Sequence, residues 1–366
     1  RIVVPGLEVR DSMGQSKTVT TIGVLPTADV PASTVIQWSG SVRAALQYTD
    51  DNVDVIATSD EGSSLHIKAR GRLDVTGTTD TAVGEVGASI SMYGDLDNNG
   101  EYGSSAFTSQ SATVKMDYAW GWWKMTPELT FAGGYNGSLA TIGYGIRKIN
   151  DAYISRGGVG VDGGDFVQMR LSYNSGPLGI AIAAEHTDED NNAGFTQDGG
   201  PIGAAGELTY SGDMFNAELA GFIRNGFSDI DGNNYTQSQI GLGLGAKLSD
   251  MFDVSVAGSF GNNVYYSTGV DSHVGDGWEV SGAIVASLSD SVSAEVGAGW
   301  SSYDAEDVAT SYTTDTFAVA GGVYWSPVSQ LKTGIQASYQ SIDNDSASGD
   351  VDNDHLKAAF VTWWNF

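Results

Sequence analysis

From Val35 to the last residue, apolar and polar side chains alternate with a period of two, the repeat of a β-strand whose two faces meet different surroundings. Between Val35 and Tyr48, Ile36, Trp38, Val42, Ala44 and Leu46 share one face, and Gln37, Ser39, Ser41, Arg43 and Gln47 share the other. Between Ser64 and Gly77, Leu65, Ile67, Ala69, Leu73 and Val75 oppose His66, Lys68, Arg70, Arg72 and Asp74, so one face is apolar and the other is a ladder of bases. The scheme recurs at Val167–Tyr173, where Gln168 and Arg170 are polar, at Ile240–Leu248, at Val292–Trp300 and at Leu331–Gln340. About sixteen such segments fit, at roughly 21 residues for a strand and its connector. Residues 1–34 hold short β-like runs broken by Pro5, Gly14, Pro26 and Pro31 and are set apart as an N-terminal segment, leaving 35–366 as a single domain.

The connectors alternate in length. Tight turns are expected at TGTT near Thr76, NSGP at Asn174, SGDM at Ser211, LSDM at Leu248, LSDS at Leu288 and SPVS at Ser326, and Asp/Asn/Gly-rich loops separate them. Short turns on one side and long loops on the other describe a transmembrane antiparallel β-barrel, and a soluble sandwich has no reason to sort its connectors so regularly. The nine tryptophans are expected towards strand ends, where amphipathic rings favour a membrane interface. The longest connector, Gly134–Asp165, is the third on the long side and carries Arg147, Lys148, Asp151, Arg156, Asp162 and Asp165 among many glycines. It is expected to fold into the lumen and narrow it, 134–165 forming a constriction loop.

Composition agrees with this picture. No run approaches the roughly 20 apolar residues of a membrane helix, and 41% hydrophobic content suffices for alternating strands. There is no cysteine, hence no disulfide framework or thiolate chemistry. A start at Arg1 without Met reads as a processed chain outside the cytoplasm. The net charge of −28, from 45 acids against 17 bases, excludes a nucleic-acid binder working by phosphate neutralisation.

The MTPELTFAGGYNGSLATIGYG segment and the C-terminal strand HLKAAFVTWWNF, with Leu356, Ala358, Phe360, Thr362 and Trp364 alternating up to a terminal Phe366, give the chain its resemblance to general bacterial porins of the alphaproteobacterial type. The resemblance covers Val35 to Phe366. It implies a sixteen-stranded barrel in the outer membrane of a Gram-negative bacterium, in contact with outer-membrane lipid and lipopolysaccharide. It also implies a homotrimer, an inward-folded third loop, and a Phe366 that serves as an assembly signal. The N-terminal segment departs from the family.

A barrel of this size encloses water, and its narrowest section decides what passes. Arg43, His66, Lys68, Arg70, Arg72 and Arg170 are expected as a basic wall, joined by Arg147 and Lys148 of the loop and faced by the loop acids Asp151, Asp162 and Asp165. Such a site passes ions and small hydrophilic solutes passively. A solute-specific channel, for example for sugars, would stack aromatic rings along the lumen, and Tyr93, Trp123 and Phe222 are few for that. A secreted calcium-binding structural or adhesive protein is the alternative outside transport. Asp95, Asp97 and Asn99 match the first half of a calcium loop, with Ala106 where a glutamate would complete it, so only a weak calcium site is a candidate there, or at Asp188/Asp190/Asn192 or Asp229/Asp231/Asn233. The Gly158–Gly163 dinucleotide-like pattern lacks a strand–helix unit, and the four histidines form no catalytic motif, so no enzyme and no other cofactor are expected.

Overall fold

The computed structural model describes residues 7–10, 16–23, 34–55, 58–97, 114–150, 153–156, 163–186, 202–228, 233–267, 272–306, 311–346 and 351–366. Two short strands, β1 (Leu7–Arg10) and β2 (Ser16–Gly23), form a hairpin. Sixteen strands then follow: β3 (Val35–Val55), β4 (Thr58–Thr81), β5 (Gly84–Asp97), β6 (Val114–Lys124), β7 (Leu129–Gly137), β8 (Asp165–Ser175), β9 (Leu178–His186), β10 (Ile202–Ser211), β11 (Phe215–Ser228), β12 (Asn233–Lys247), β13 (Phe252–Ser267), β14 (Ser272–Ser287), β15 (Val292–Glu306), β16 (Ser311–Val328), β17 (Leu331–Ser346) and β18 (Val351–Asn365). Each pairs antiparallel with the next, and β18 returns to β3 from Asn353↔Val53 to Asn365↔Ser41, closing the barrel. No helix among the described residues is long and apolar enough to cross a membrane.

Closure leaves no open edge, and the alternation sorts what each face meets. Ile67, Met169, Ile182, Ile240, Ile335 and Phe360 project outwards and are exposed, whereas the inward Ala181, Ala183, Ala318 and Ala359 are buried. An apolar belt of this extent suits hydrocarbon and not water. On the long-loop side it ends in an aromatic rim: Phe260 pairs with Trp278, and Trp300 pairs with Phe317 at a ring separation of 6.1 Å. Tyr339 continues the rim on β17. Towards the turns, Trp38, Trp123, Phe215, Trp325 and Trp364 are among its exposed rings.

Three expectations change. Thr76 lies inside β4, where its hydroxyl meets that of Ser89 at 2.7 Å, and the turn comes at Thr81–Gly84 with Gly84 at φ 113°. β-Branched threonines sustain the strand through a stretch whose glycine suggests a turn. Several acid-rich segments taken for loops are also strand: Asp343 and Asp345 lie in β17 and Asp352 and Asp354 in β18, because the ladders run on beyond the apolar belt. Trp120, Trp122 and Trp363 face the lumen, since adjacent residues such as Trp122 and Trp123, or Trp363 and Trp364, must point to opposite faces.

The N-terminal hairpin continues the seam. β2 pairs with β3 from Thr20↔Trp38 to Gly23↔Val35, the edge of β3 just beyond the end of β18. At the join, the Gly40 and Phe366 backbones exchange two hydrogen bonds of 3.0 Å. A Cβ on Gly40 would lie 2.5 Å from the Phe366 ring and 2.7 Å from the Arg72 carbonyl oxygen. Overpacking a site with a backbone neighbour costs about 1–3 kcal/mol, so Gly40→Val is expected to lower the yield of folded barrel, measured as loss of the heat-modifiable band on detergent gels. An undiminished band would show that the seam has room to spare.

A candidate constriction inside the barrel

The connector between β7 and β8 is a loop inside the barrel, and a buried loop must find partners for its backbone amides. The wall supplies them. Gly143 N donates to Glu218 Oε2 at 3.1 Å, Gly145 N to Ser255 Oγ at 2.7 Å and Ile146 N to Ser281 Oγ at 3.1 Å. Asn150 N donates to Glu295 Oε1 at 2.6 Å, and Ser155 N donates to Ser338 Oγ at 3.0 Å. In return Gln336 Nε2 donates to the Asn150 carbonyl at 2.8 Å, and Gln47 Nε2 donates to that of Tyr153 at 2.6 Å.

Apolar contacts follow the same path around the wall. Leu139 and Ala140 pack on Ala181, Ala183 and Ala205, and Ile142 packs on Ala220 and Ala257. The 3-10 turn Gly145–Lys148 places Ile146 with Ile149 and Ile154 against Ala283, Ala318 and Ala320. Tyr153 ends among Ala45, Tyr324, Ala359, Val361 and Trp363. The loop thus lines the wall from β9 round to β3. It fits because the residues beneath it are small: a Cβ on Gly243 would lie 2.6 Å from the Tyr144 ring and 2.7 Å from Ile142. Burial raises the Tyr144 and Tyr153 phenols above their ordinary range, so both are neutral at physiological pH.

Across the opening stands the basic wall. Arg43 is paired with Arg70 and Ser41 with Arg72 in the β3–β4 ladder, and His66 and Lys68 continue the inward series towards the loops. Each arginine is laid against a ring: Arg43 over Tyr153 at 5.4 Å, Arg70 over Tyr93 at 4.2 Å, Arg72 over Tyr118 at 5.8 Å, and Arg170 of β8 over Trp120 at 5.2 Å. Stacking restricts where a guanidinium can swing while leaving its charge in place. Arg170 also donates to the Gly137 carbonyl at 2.7 Å, at the root of the loop. The His66 ring shares a 2.6 Å hydrogen bond with Ser64 Oγ. On the loop, Lys148 sits 4.5 Å over Tyr144, and Arg156 donates to the Arg147 carbonyl at 3.3 Å.

Of the loop acids, Asp165 is the one described. Asp151 and Asp162 lie outside the described residues. Asp165 opens β8, is exposed, and falls in the outward series with Val167 and Met169, so strand parity turns it away from the bases. Those bases meet acids of their own wall instead. Asp95 accepts from both Arg70 Nε and, at 2.6 Å, Arg70 NH2, while Arg72 reaches Asp74 at 3.0 Å and Asp117 at 2.8 Å. These pairs are half-exposed and worth little in stability. Asp95 is therefore a lumen residue of β5 engaged by arginine; of the weak calcium candidates, Asn99, Asp188, Asp190, Asn192, Asp229 and Asp231 lie outside the described residues. Trp123 faces outwards, and the Tyr93 and Phe222 rings are covered by Arg70 and Arg224.

Glu185, Glu218, Glu295, Ser255, Ser281, Gln336 and Arg224 were not singled out from sequence. Their signal was present in the inward Ala and Gly of β9–β16, a surface too small-chained to border open water without a reason.

No protein-family model matches the chain, and no curated protein sequence matches it. Among solved structures, it is similar to the outer membrane channel DcaP of Acinetobacter baumannii, at 15% identity over 93% of this chain and 100% of that one, with a TM-score of 0.68. It is also similar to Salmonella typhi OmpF in complex with daunomycin, at 13% identity over 91% and 98% with a TM-score of 0.62. A third is the anion-selective porin from Comamonas acidovorans, at 12% identity over 91% and 100% with a TM-score of 0.57. These likenesses establish the fold, a porin-type sixteen-stranded barrel.

The loop's seat is open to test, because Arg147, Lys148 and Arg156 are trypsin sites. Gly243→Val would push Tyr144 and Ile142 off the wall, so trypsin is expected to nick the loop about tenfold faster than in the parent, the range for losing tight local packing. Equal rates would mean that the loop does not depend on this contact.

Proposed function

We propose that the chain is an outer-membrane porin whose water-filled lumen passes ions and small hydrophilic solutes by passive diffusion, with a constriction between the inward loop and the basic wall of β3, β4 and β8. The observation that carries this reading is the inward loop itself, held across many strands by its own backbone amides, with stacked arginines opposite. Closure and the apolar outer belt support placement in a membrane, and the fold supports a homotrimer set among outer-membrane lipids. No site residue suggests catalysis, and the lumen rings already covered by cations leave little aromatic surface for stacking sugars.

Charge decides the selectivity. Glu218 of β11 and Glu295 of β15 are beneath the loop, where they accept backbone hydrogen bonds, while Arg43, Lys68, Arg70, Arg72, Arg170, Arg147 and Lys148 border the opening. A confined cleft focuses such a field, so the constriction favours anions, and the separation of signs orients dipolar solutes crossing it. In planar bilayers, single channels are expected to show an anion-side reversal potential under a salt gradient. That preference should grow as salt falls from 1 M to 0.1 M and the screening length rises from about 3 to about 10 Å. Replacing Arg70 and Arg72 with glutamine leaves Asp74, Asp95 and Asp117 uncompensated and should move the reversal potential to the cation side. An unchanged potential in that double variant would remove the basic wall from the site.

A further inference from the structure

Arg224 of β11 is closely enclosed in the barrel interior, with its side chain 10% exposed beside a Glu185 at 0%. Its guanidinium lies between two rings, 3.8 Å from Phe222 and 4.3 Å from Phe166. One terminal nitrogen donates to the Gly163 carbonyl at 2.5 Å, to Glu185 Oε2 at 3.3 Å and to Ser138 Oγ at 3.4 Å. Ser138 and Gly163 are the two roots of the inward loop, one just after β7 and the other just before β8.

The roots are themselves drawn together. Ser138 N donates to the Gly164 carbonyl at 2.7 Å, and Gly163 N donates to Thr141 Oγ1 at 3.0 Å. A Cβ on Gly163 would fall 2.6 Å from that of Ser138, so glycine is what lets the strands of the neck touch. Gly164, at φ 81°, turns the chain from neck to strand. The neck thus stands off the β7–β8 hairpin towards β9 and β11, and a cation rooted three strands away binds both of its sides. Glu185 is buried with one carboxyl oxygen facing that terminal nitrogen, and a buried carboxylate must be paired to be tolerated.

We propose that Arg224 is the clamp that holds the neck of the inward loop against the β9–β11 wall, a positioning residue that sets how far the loop stands into the lumen and keeps it still. The clamp is distinct from the seat of the loop's distal part. The amides of Gly143 to Ser155 hold a loop that is already inside, whereas Arg224 fixes the angle at which it enters. Its consequence for conduction rests on the channel reading above, but its structural content does not.

The chain has no cysteine, so one introduced thiol reports cleanly. Leu139→Cys places it in the neck, at a position 4% exposed against Ala181 and Ala205. With Arg224 present, a water-soluble maleimide should label it slowly in the folded barrel. With Arg224→Met, labelling is expected about tenfold faster or more, as when a charge-assisted hydrogen bond is lost from a closed state. Arg224→Lys keeps a cation beside Glu185 but cannot lay a flat guanidinium between two rings, so it should give an intermediate rate. Equal labelling in the Met and parent backgrounds would overturn the clamp, and full recovery with Lys would overturn the part of the stacked plane in favour of charge alone. If Arg224→Met yields no heat-modifiable barrel, the Lys variant decides by the same rates, a parent-like rate overturning the part of the stacked plane. In bilayers, the Arg224→Met channel should flicker while keeping the sign of its selectivity. A parent that labels slowly yet conducts nothing would defeat the channel reading and leave the clamp standing.

Discussion

The structure depends on one ladder, that between β18 and β3. In an apolar medium no backbone donor or acceptor can be left to solvent, so a sheet is admissible there only if it closes. Thirteen residue pairs from Asn353↔Val53 to Asn365↔Ser41 do this, and Phe366 and Gly40 finish it with a reciprocal pair of hydrogen bonds. Beyond that point the edge of β3 would be bare, and β2 takes it over from Trp38 to Val35. Once the sheet is closed the alternation has only two destinations, hydrocarbon-like surroundings outside and an enclosed lumen inside. Everything polar in the strands is thereby committed to the lumen or to the rims.

That commitment creates the setting for the inward loop. A lumen lined only by long polar side chains would leave no seat for it. Along β9 to β16 the inward positions are instead Ala181, Ala183, Ala205, Ala220, Gly243, Ala257, Ala283, Gly297, Ala318 and Ala320, and the loop's isoleucines and Tyr144 fill the space these leave. Scattered among them are polar groups that the loop amides need, Glu218, Ser255, Ser281 and Glu295, with Ser338 on the neighbouring β17. On β3 to β8 the inward positions carry arginines and rings, which the loop meets at Tyr153, beneath Arg43, and at its root, where Arg170 donates to the Gly137 carbonyl. The asymmetry of the lumen is therefore an asymmetry of side-chain size before it is one of charge.

Much of this was legible in the period-two pattern. The strands, their number, the short turns at Asn174, Ser211, Leu248 and Leu288, the inward series His66 to Arg72 and the rank of the third loop all follow from local alternation. What was not legible involves pairing across the barrel. That Asp95 belongs to Arg70 depends on the register of β4 with β5, and that Arg224 reaches Ser138 depends on where the loop turns; neither has a local mark. Strand ends were misjudged where Thr76 and Gly77 resemble a turn, and where Asp343 and Asp352 resemble loop, because a ladder that continues into water no longer needs apolar residues to announce it.

Those continuing strands explain where the acid excess resides. Above the aromatic rim, outward carboxylates stand opposite one another, Asp276 with Asp304, Asp315 with Asp343, and Asp343 with Asp352. Like charges paired across strands repel, at a cost of a few tenths to about 1 kcal/mol each in water. In hydrocarbon the desolvation of even one carboxylate would exceed that many times over. Sinking the barrel by two residues would draw this band into the apolar layer, and raising it would expose Trp325 and Trp364 at the other rim. The repulsion is thus a small and constant cost set against a steep penalty for displacement. On the reading proposed above, the strongly negative chain still presents a positive narrow section, because Arg43, Lys68, Arg70, Arg72 and Arg170 outnumber Asp74, Asp95 and Asp117, the acids that Arg70 and Arg72 bridge, while the acids above the rim are screened over about 8–10 Å.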